Sequence, residues 1–308
     1  MKVPLPFVVS LASCLLAGLP AEARTADGKQ KLVLIAGKPS HPPRMHEFRA
    51  GALLLQQSLA KTAGLVVEVH DMGWVKDEKT FDDADAVVIY ADGGPGHPAV
   101  QGDHLAKIDA LVKKGVGFGC MHYGVEVVPE NGGPQFKQWI GGYYEGMYSC
   151  NPIWEPSFDS FPHHPITRGV KPFKIKDEWY FNIRFADPFS AEKRTEEAGV
   201  TFTPLLVAKP SDEVRNGPYV YPKGPYPHIQ QAKGRKEAMM WCVERRDGGR
   251  GFGFTGGHFH DNWANEEFRK TVLNALAWVA KAEVPADGIS SSVTKEQIDA
   301  NLDPKDKK

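Results

Sequence analysis

A histidine takes the place of a nucleophile in one short stretch of this sequence. Residues 114–124 read KGVGFGCMHYG, and their small and apolar side chains are typical of a strand buried on both faces of a sheet. Cys120 and Gly124 flank His122 at a spacing of two, as small residues do in a nucleophile elbow, the sharp turn from strand to helix. Because imidazole carries protons or binds metals more often than it forms stable covalent intermediates, we predict that His122 is a base or a metal ligand.

Other polar residues follow predicted strands at their carboxyl ends. Those ends form the ligand crevice of an open parallel sheet, so side chains from distant segments are expected to meet there. Any one of these histidines could instead be solvated or satisfied in the core, because loops carry many polar residues. We assign His46, Asp92, Gly93, Gly94 and His97 to substrate binding; His41, His122, His258 and His260 also lie at such ends.

The segment Gly256-Gly257-His258-Phe259-His260 carries two histidines at a spacing of two. On an extended backbone such side chains project to one side and can converge on one ion or substrate. The sequence therefore suggests His122, His258 and His260 as candidate ligands of a divalent metal, zinc or manganese. A glycine-rich exit from a hairpin with incidental histidines is the alternative.

The segment Asp177-Glu178-Trp179-Tyr180 places two carboxylates beside two aromatic rings. An aromatic wall can raise the pKa of a carboxyl group towards general-acid use, so Glu178 joins His122 and His258 as a predicted catalytic residue. Asp177, Trp179, His260 and Trp263 are assigned to substrate binding, since a tryptophan face suits a sugar ring. An exposed acidic pair next to core aromatics is the alternative.

The composition excludes several classes of protein. The 308 residues are 42% apolar and 24% charged, with a net charge of −1, which implies neither nucleic acid nor an anionic membrane as partner. Gly93-Gly94-Pro95-Gly96 follows a predicted strand but lacks GxGxxG spacing, and no GK[ST] element is present, so no nucleotide cofactor is expected. Of the four cysteines, Cys14 lies in the apolar first segment, and the other three, Cys120, Cys150 and Cys242, form an odd set without CxxC spacing, which disfavours a disulfide scaffold or a structural zinc site. The oligomeric state stays open, and a homo-oligomer is one alternative.

The first residues are typical of an export signal. Residues 1–23 combine the basic Lys2, an apolar run and the small-residue site Ala21-Glu22-Ala23, which predicts a secretory signal peptide. Residues 11–14 (LASC) resemble a bacterial lipobox, so lipidation of Cys14 is the alternative. We expect a periplasmic or secreted chain without a membrane-spanning segment after cleavage. One domain then covers residues 24–284, followed by a polar tail at residues 285–308.

Alternating elements must position these side chains. Apolar runs predict strands at residues 31–36, 65–69 and 84–90, before the strand that ends at His122. Apolar residues at spacings of three and four predict helices after residue 45 and around residue 108. Strands that alternate with helices pair in parallel and carry helices on both faces. The sequence therefore predicts an α/β protein, a three-layer α/β/α sandwich with a mostly parallel sheet.

The pattern is less regular after Gly124. Short strands are predicted at residues 173–176 and 204–208, and a long loop at residues 212–233. Residues 239–244 and 251–255 read as a hairpin, and a final amphipathic helix is expected to begin at the cap Asn265. Thr294 and Gln297 predict one short helix in the tail.

Five separate stretches resemble the ThuA-like (trehalose-utilisation) family from about Lys31 to Val284: KLVLIAGKPSHPPRMHEFRAG, ADAVVIYADGG, GVGFGCMHYGVE, HHPITRGVKPFKIKDEWY and GRGFGFTGGHFHDNW. The resemblance implies a flavodoxin-like sandwich of the class I glutamine amidotransferase-like type. It also implies a lineage in which His122 replaces the elbow cysteine, so amidotransfer from glutamine is not expected. The family is linked to the catabolism of disaccharides that are first oxidised to 3-keto sugars.

Three functions remain open at this point. The first is a secreted enzyme that acts on a sugar or 3-keto-glycoside by acid-base chemistry of His122, Glu178 and His258, with or without a metal. The second is a non-catalytic carbohydrate-binding module that uses Trp179, Tyr180, Trp263 and tyrosines 219, 221 and 226. The third is a metal-dependent hydrolase of another substrate class.

Overall fold

The computed structural model describes residues 28–305. The predicted signal peptide at residues 1–23 and Cys14 lie outside these residues. The strands are β1 (Gln30–Ala36), β2 (Leu65–His70), β3 (Ala86–Tyr90), β4 (Gly117–Met121), β5 (Gly142–Tyr143), β6 (Ile153–Trp154), β7 (Ser157–Phe158), β8 (Phe173–Lys174), β9 (Asp177–Glu178), β10 (Arg184–Phe185), β11 (Thr195–Glu197), β12 (Val200–Ala208), β13 (Glu237–Glu244) and β14 (Arg250–Phe254). The α-helices are α1 (Phe48–Leu59), α2 (His104–Val112), α3 (Gly133–Ile140), α4 (Asp212–Asn216), α5 (Pro227–Gln231), α6 (Glu266–Val279) and α7 (Lys295–Asp299).

One eight-stranded sheet organises the chain, in the order β11-β12-β13-β14-β4-β3-β1-β2. The pairs from β14 to β2 are parallel, and those from β11 to β14 are antiparallel. The predicted mostly parallel α/β sheet is confirmed, as is the hairpin of β13 and β14. That hairpin returns β14 parallel to β4, and the carboxyl ends of the two strands therefore lie side by side.

Helices cover both faces of the sheet because successive strand residues point to opposite sides. In β1, Leu32 and Leu34 join one core with α1 and α6, whereas Val33 and Ile35 join the other core with α2 and α3. The residues of β3 alternate in the same way. A strand buried on both faces is apolar throughout, which is why the runs at β1 and β3 are continuous rather than alternating.

Two glycines allow helices to approach the middle of the sheet. A Cβ added at Gly117 in β4 would lie 2.2 Å from the backbone oxygen of Val279 in α6. A Cβ at Gly251 in β14 would lie 2.1 Å from the backbone oxygen of Trp139 in α3. Gly117, which lies in the segment predicted to be slim, therefore allows β4 to pack closely against α6, and Gly251 allows β14 to pack closely against α3 on the other face.

The last part of the chain packs onto the domain. Asn265 caps α6 by accepting from the Phe268 N–H, and Thr294 and Gln297 form a capping box at α7, both as predicted. Ile289 and Ile298 are buried, so residues 285–305 cover apolar surface. Within the described residues, no helix is long and apolar enough to cross a membrane.

The prediction of a long loop at residues 212–233 was wrong. The segment contains two short helices, α4 and α5. Ser211 caps α4 through the Val214 N–H, and Pro227 stands in the first turn of α5, where its missing N–H costs nothing. The loop was predicted from the dense proline and glycine content of the segment, and these two local helix signals were overlooked.

Candidate active site

Three histidine rings and one carboxylate meet at the carboxyl edge of the parallel strands. His46 lies between β1 and α1, His122 directly follows β4, His258 follows β14, and Glu178 lies in β9. All four side chains are buried, and one nitrogen or oxygen atom of each lies within 4.8 Å of the others. His46, His122 and His258 therefore meet, as their positions at strand ends predicted.

The backbone at His122 has the geometry of an elbow. Its φ angle is +52°, in the left-handed region that residues with a Cβ seldom adopt. His41 and His46 also have positive φ, at +59° and +47°. Such backbone strain persists only where the surrounding structure enforces it, and it clusters at functional sites.

The imidazole atoms are close enough to share one ligand. His46 Nε2 lies 3.0 Å from His122 Nε2 and 3.0 Å from His258 Nδ1. His122 Nε2 lies 3.3 Å from His258 Nδ1. Glu178 Oε2 lies 2.7 Å from His258 Nδ1 and 3.6 Å from His122 Nε2.

Residues around the cluster hold its side chains in place by hydrogen bonds and close polar contacts. His46 Nδ1 faces Asp92 Oδ1 at 2.8 Å, and His122 Nδ1 faces the backbone oxygen of Thr255 at 3.0 Å. The Asn151 side chain donates to Glu178 Oε1 at 2.9 Å. The Tyr180 hydroxyl lies 3.3 Å from His122 Nε2.

Backbone pairing fixes the two loops that carry His46 and His258. The N–H of His46 donates to the backbone oxygen of His258, and the N–H of His260 donates to that of Arg44. Asp177 accepts from the N–H groups of Gly257 and His258 at 2.8 and 3.1 Å. Asp177, predicted to bind substrate, therefore shapes the turn that presents His258.

Burial changes the proton affinity of the cluster. It lowers the pKa of His46 and of His122 well below the usual value, because the charged imidazolium loses its hydration and neighbouring histidines repel it. Burial raises the pKa of Glu178, and the hydrogen bond from His258 acts in the opposite direction. The raised proton affinity of Glu178 agrees with the sequence argument.

The placement of His260 was wrong. Its Nε2 faces the backbone oxygen of Ile298 at 2.8 Å, and its ring is absent from the buried cluster. The spacing argument assumed an extended backbone, but residues His260–Ala264 form a 3-10 turn that directs the ring away from His258. His46 and Glu178, which were not among the predicted metal ligands, lie in the cluster in place of His260.

Trp179, Trp263 and His97 are core residues instead of ligand platforms. Both tryptophans are 0% exposed, and Trp179 packs between Phe254 and Phe268. His97 is also fully buried; its Nδ1 accepts from the Ala99 N–H, its Nε2 faces the Gly124 backbone oxygen, and burial lowers its pKa to about 4. The substrate-binding assignments of these three residues are therefore wrong.

The glycines after Asp92 allow close packing of the backbone. A Cβ at Gly93 would lie 2.1 Å from the Tyr123 backbone oxygen, and Gly94 has φ +62°. The Gly94 N–H donates to the Glu126 backbone oxygen. Their observed role is to bring the Asp92 loop against the segment that follows His122.

Glu126 is a functional candidate that the sequence argument missed. Its half-buried carboxylate has no hydrogen bond or ion pair to any other residue within 28–305, and burial with the nearby charge of Glu178 raises its pKa to about 7. The available signal was a single charged residue four positions after His122 in an otherwise uncharged stretch. His41 was noted only as a strand-end residue, and it stacks on His46 with ring centroids 3.6 Å apart.

A cavity of about 610 Å³ opens beside Asp92. Its walls include Lys38, Trp74, Gln101 and His104, so donors, acceptors and an aromatic ring all face it. The volume is within the roughly 300–1,000 Å³ typical of small-molecule sites. Asp92 joins this cavity to the cluster through its contact with His46.

Comparison with known proteins agrees with this architecture. A ThuA-like protein from Bacteroides uniformis ATCC 8492 is similar with a TM-score of 0.54 and 14% identity, over 83% of this chain and 94% of that one. A ThuA-like protein from Parabacteroides merdae ATCC 43184 gives 0.53 and 15%, over 87% and 94%. These likenesses show the fold, which is of the flavodoxin and class I glutamine amidotransferase-like type.

The comparison with curated proteins gave no match. The sequence model of the ThuA family, described as trehalose utilisation, matches residues 33–279 and so includes all four cluster residues. Because that match covers most of the chain, the protein belongs to the ThuA family, which links it to the utilisation of sugars such as trehalose.

Proposed function

We propose that this protein is an enzyme of sugar catabolism that removes a proton next to the carbonyl group of a keto-glycoside. The observation that carries the proposal is the convergence of three imidazoles and Glu178, with the carboxylate of Glu126 near enough for the charge of Glu178 to raise its pKa. Family membership supports a sugar as the substrate class. The cavity beside Asp92 has the size of a small-molecule site, and its walls combine polar side chains with apolar surface.

The chemistry requires a base and an electrophile. In a 3-keto-glycoside the C2 proton is acidic because the electron pair of the broken C–H bond passes to the carbonyl oxygen. Glu126 takes this proton, and the cluster, with or without a bound ion, stabilises the negative charge on the enolate oxygen. Collapse of the enolate expels the glycosidic oxygen from C1, and protonated Glu126 returns its proton to that oxygen.

Glu126 suits the role of base because a pKa near the working pH balances deprotonation against proton affinity. Its backbone lies on the segment that starts at His122, so the elbow positions the base and the cluster together. Gly94 lies close to this carboxylate, since a Cβ there would be 3.6 Å from Glu126 Oε1. The base therefore stands on the same side of the fold as the Asp92 loop.

Burial of the aromatic rings disfavours a non-catalytic binding module. Trp179, Tyr180 and Trp263 are at most 2% exposed, and Tyr219 and Tyr226 are also buried. A stacking platform needs a free ring face. Of the aromatic residues assigned to that hypothesis, Tyr221 alone is well exposed, at 77%.

The test uses NMR to measure how fast the C2 proton of 3-keto-trehalose and of 3-keto-glucosides exchanges with solvent deuterium. We expect the wild-type protein to exchange this proton and release the aglycone, and Glu126→Gln and His122→Ala to lose both activities while folded. Gly146→Ala is the matched control, because a Cβ there meets nothing within 4 Å and the residue does not line the cavity beside Asp92. Absence of exchange with every keto-sugar, or full activity of Glu126→Gln, would reject the proposal.

Residues 1–23 support a periplasmic or secreted site of action, which we include in the proposal. Keto-sugars formed outside the cytoplasm would then reach the enzyme directly. Fractionation of cells that express the full chain tests this point. Recovery of the uncleaved chain in the cytoplasm would contradict it.

A further inference from the structure

We propose that His46, His122, His258 and Glu178 bind one divalent transition-metal ion of the zinc class. The use of the ion as an electrophile rests on the proposed function. Binding of the ion does not rest on it, because binding is measurable without substrate. The four residues come from four segments between positions 46 and 258. Burial on this scale, with donor atoms directed at one another, is unusual unless the donors share a ligand.

The donor spacing matches a metal centre. Four donors at about 2.0–2.1 Å from a tetrahedral ion lie about 3.3–3.4 Å from one another. The three nitrogen pairs are separated by 3.0, 3.0 and 3.3 Å, and the Glu178 oxygen lies 2.7 and 3.6 Å from two of those nitrogens. Small outward movements of the rings would therefore place an ion within bonding distance of all four.

The outer contacts of the rings decide which nitrogen carries the proton. The backbone oxygen of Thr255 can only accept, so His122 is protonated at Nδ1 and has a lone pair at Nε2. The Asp92 carboxylate accepts in the same way, so His46 also carries its proton at Nδ1. The two Nε2 lone pairs then face each other at 3.0 Å without a proton between them.

A cation resolves this repulsion, and the same contacts are typical of metal sites. Histidine ligands usually donate the other ring N–H to a carboxylate or a backbone carbonyl, which fixes the tautomer. Here His46 is oriented by Asp92, His122 by Thr255, and Glu178 by Asn151. The supporting contacts of a metal centre are thus present for three of its four ligands.

The donor set also selects the ion. Three imidazoles and one carboxylate suit zinc and neighbouring transition metals, whereas magnesium and calcium prefer oxygen ligands throughout. Glu78, Asp103 and His104 also lie close together, but they are at the surface, where acidic groups are common without an ion. We make no proposal for that group.

The experiment uses the full chain purified with a tag that contains no histidine. After removal of metals with a chelator and dialysis, the protein is loaded with zinc, cobalt or magnesium, and the bound metal is measured by mass spectrometry. We expect about one zinc or cobalt per chain, no stoichiometric magnesium, and the visible absorption of cobalt with nitrogen ligands in four-coordinate geometry. The cobalt spectrum needs no variant, so it does not depend on the folding of a mutant.

Variants locate the ion. We expect His46→Ala and His258→Ala to lose the bound metal, Asp92→Asn to bind it about 10–100-fold more weakly, and His260→Gln to retain it. Circular dichroism checks that each variant is folded. His260→Gln is the matched control, because its ring lies close in sequence to His258 but faces Ile298.

Two results would overturn the inference: failure of the wild-type chain to bind zinc or cobalt stoichiometrically, or full binding by His46→Ala and His258→Ala. Turnover of a keto-sugar by rigorously metal-free protein would reject a role of the ion in the reaction and leave the proposed function intact. Tight zinc binding without turnover of any keto-sugar would support the metal site and reject the proposed function.

Discussion

The Nε2 atoms of His46 and His122 lie 3.0 Å apart, although the other nitrogen of each ring faces an acceptor. These residues are 76 positions apart in the chain. They meet because β1 and β4 are both paired to β3 in parallel, which brings their carboxyl ends to one edge of the sheet. The meeting of His46 and His122 is therefore a direct product of the sheet topology.

Zinc should stabilise the folded protein, because a preformed cluster exists only in the native state. At a free zinc concentration about 100-fold above the dissociation constant, linkage contributes about 2.7 kcal/mol to the free energy of unfolding. For a domain of this size we expect the melting temperature to rise by about 5–10 °C. Differential scanning calorimetry of metal-free and zinc-loaded protein measures the change.

His258→Ala provides the control for zinc stabilisation. It removes a central donor, so added zinc should leave its melting temperature unchanged. An equal rise in wild type and His258→Ala would assign the stabilisation to zinc bound elsewhere on the chain.

The pH dependence of the reaction should report Glu126. As a base it must be deprotonated, and its pKa is raised to about 7. Below that pH the protonated fraction grows, so we expect kcat/KM to fall about tenfold per pH unit on the acid side and to level off above pH 7. In Glu126→Gln the rate should drop by about 10²–10⁴-fold.

The acid limb distinguishes a base from a structural residue. A carboxylate that only supports the loop would lower the rate when replaced but would leave the shape of the profile unchanged. Persistence of the same limb in the residual activity of Glu126→Gln would therefore contradict the assignment.

The fold was predictable because its signals are periodic and local. Continuous apolar runs indicated β1, β3 and β4, and the rule for strand ends then placed His46, His122 and His258 in one crevice. The direction of each strand and the position at which it ends are enough to place these three histidines.

The rest of the site depends on contacts that no local pattern contains. Glu178 reaches the cluster from β9, a two-residue strand paired with β6, and that pairing is long-range. Trp179 was assigned to substrate binding because a tryptophan face suits a sugar ring, but successive residues of an extended segment point to opposite sides, and the ring next to Glu178 enters the core. Glu126 was missed because a lone charged residue in a turn is usually solvated.

Gly93 should be intolerant of any side chain. A Cβ there would meet the backbone oxygens of Tyr123 and Glu126 at 2.1 and 2.8 Å, and backbone atoms cannot move aside as a flexible side chain can. We expect Gly93→Ala to destabilise the protein by about 1–3 kcal/mol and to displace the segment that carries His122 and Glu126.

Denaturant unfolding and bound metal measure the two effects of Gly93→Ala. Gly96 lies three positions away, and a Cβ there would meet nothing within 4 Å. Gly96→Ala should therefore change neither the free energy of unfolding nor the bound metal by a measurable amount. Equal stability of the two variants would show that the Asp92 loop can move away from the elbow at little cost.

The end of the chain should stabilise the loop that carries His46. Lys305 Nζ lies 3.2 Å from Glu47 Oε1 and donates to the backbone oxygens of Met45 and His46, and both side chains of the ion pair are buried. Lys305→Met leaves the Glu47 charge buried with two backbone donors, from Arg44 and Asp303. Since an uncompensated buried charge is costly, we expect a loss of about 3 kcal/mol in the free energy of unfolding.

A double-mutant cycle separates this charge effect from lost packing. In Glu47→Gln/Lys305→Met the Glu47 charge is removed together with its partner, and the more distant Asp303 loses Lys305 in the double variant just as in the single Lys305→Met. The double variant should therefore be more stable than the sum of the single changes predicts, by about 0.5–3 kcal/mol. The exposed pair of Lys295 and Asp299 is the control, and Lys295→Met should cost less than about 0.5 kcal/mol. If the double variant loses the sum of the two single losses, the Glu47 carboxylate is satisfied by its backbone donors alone and Lys305 does not stabilise the His46 loop electrostatically.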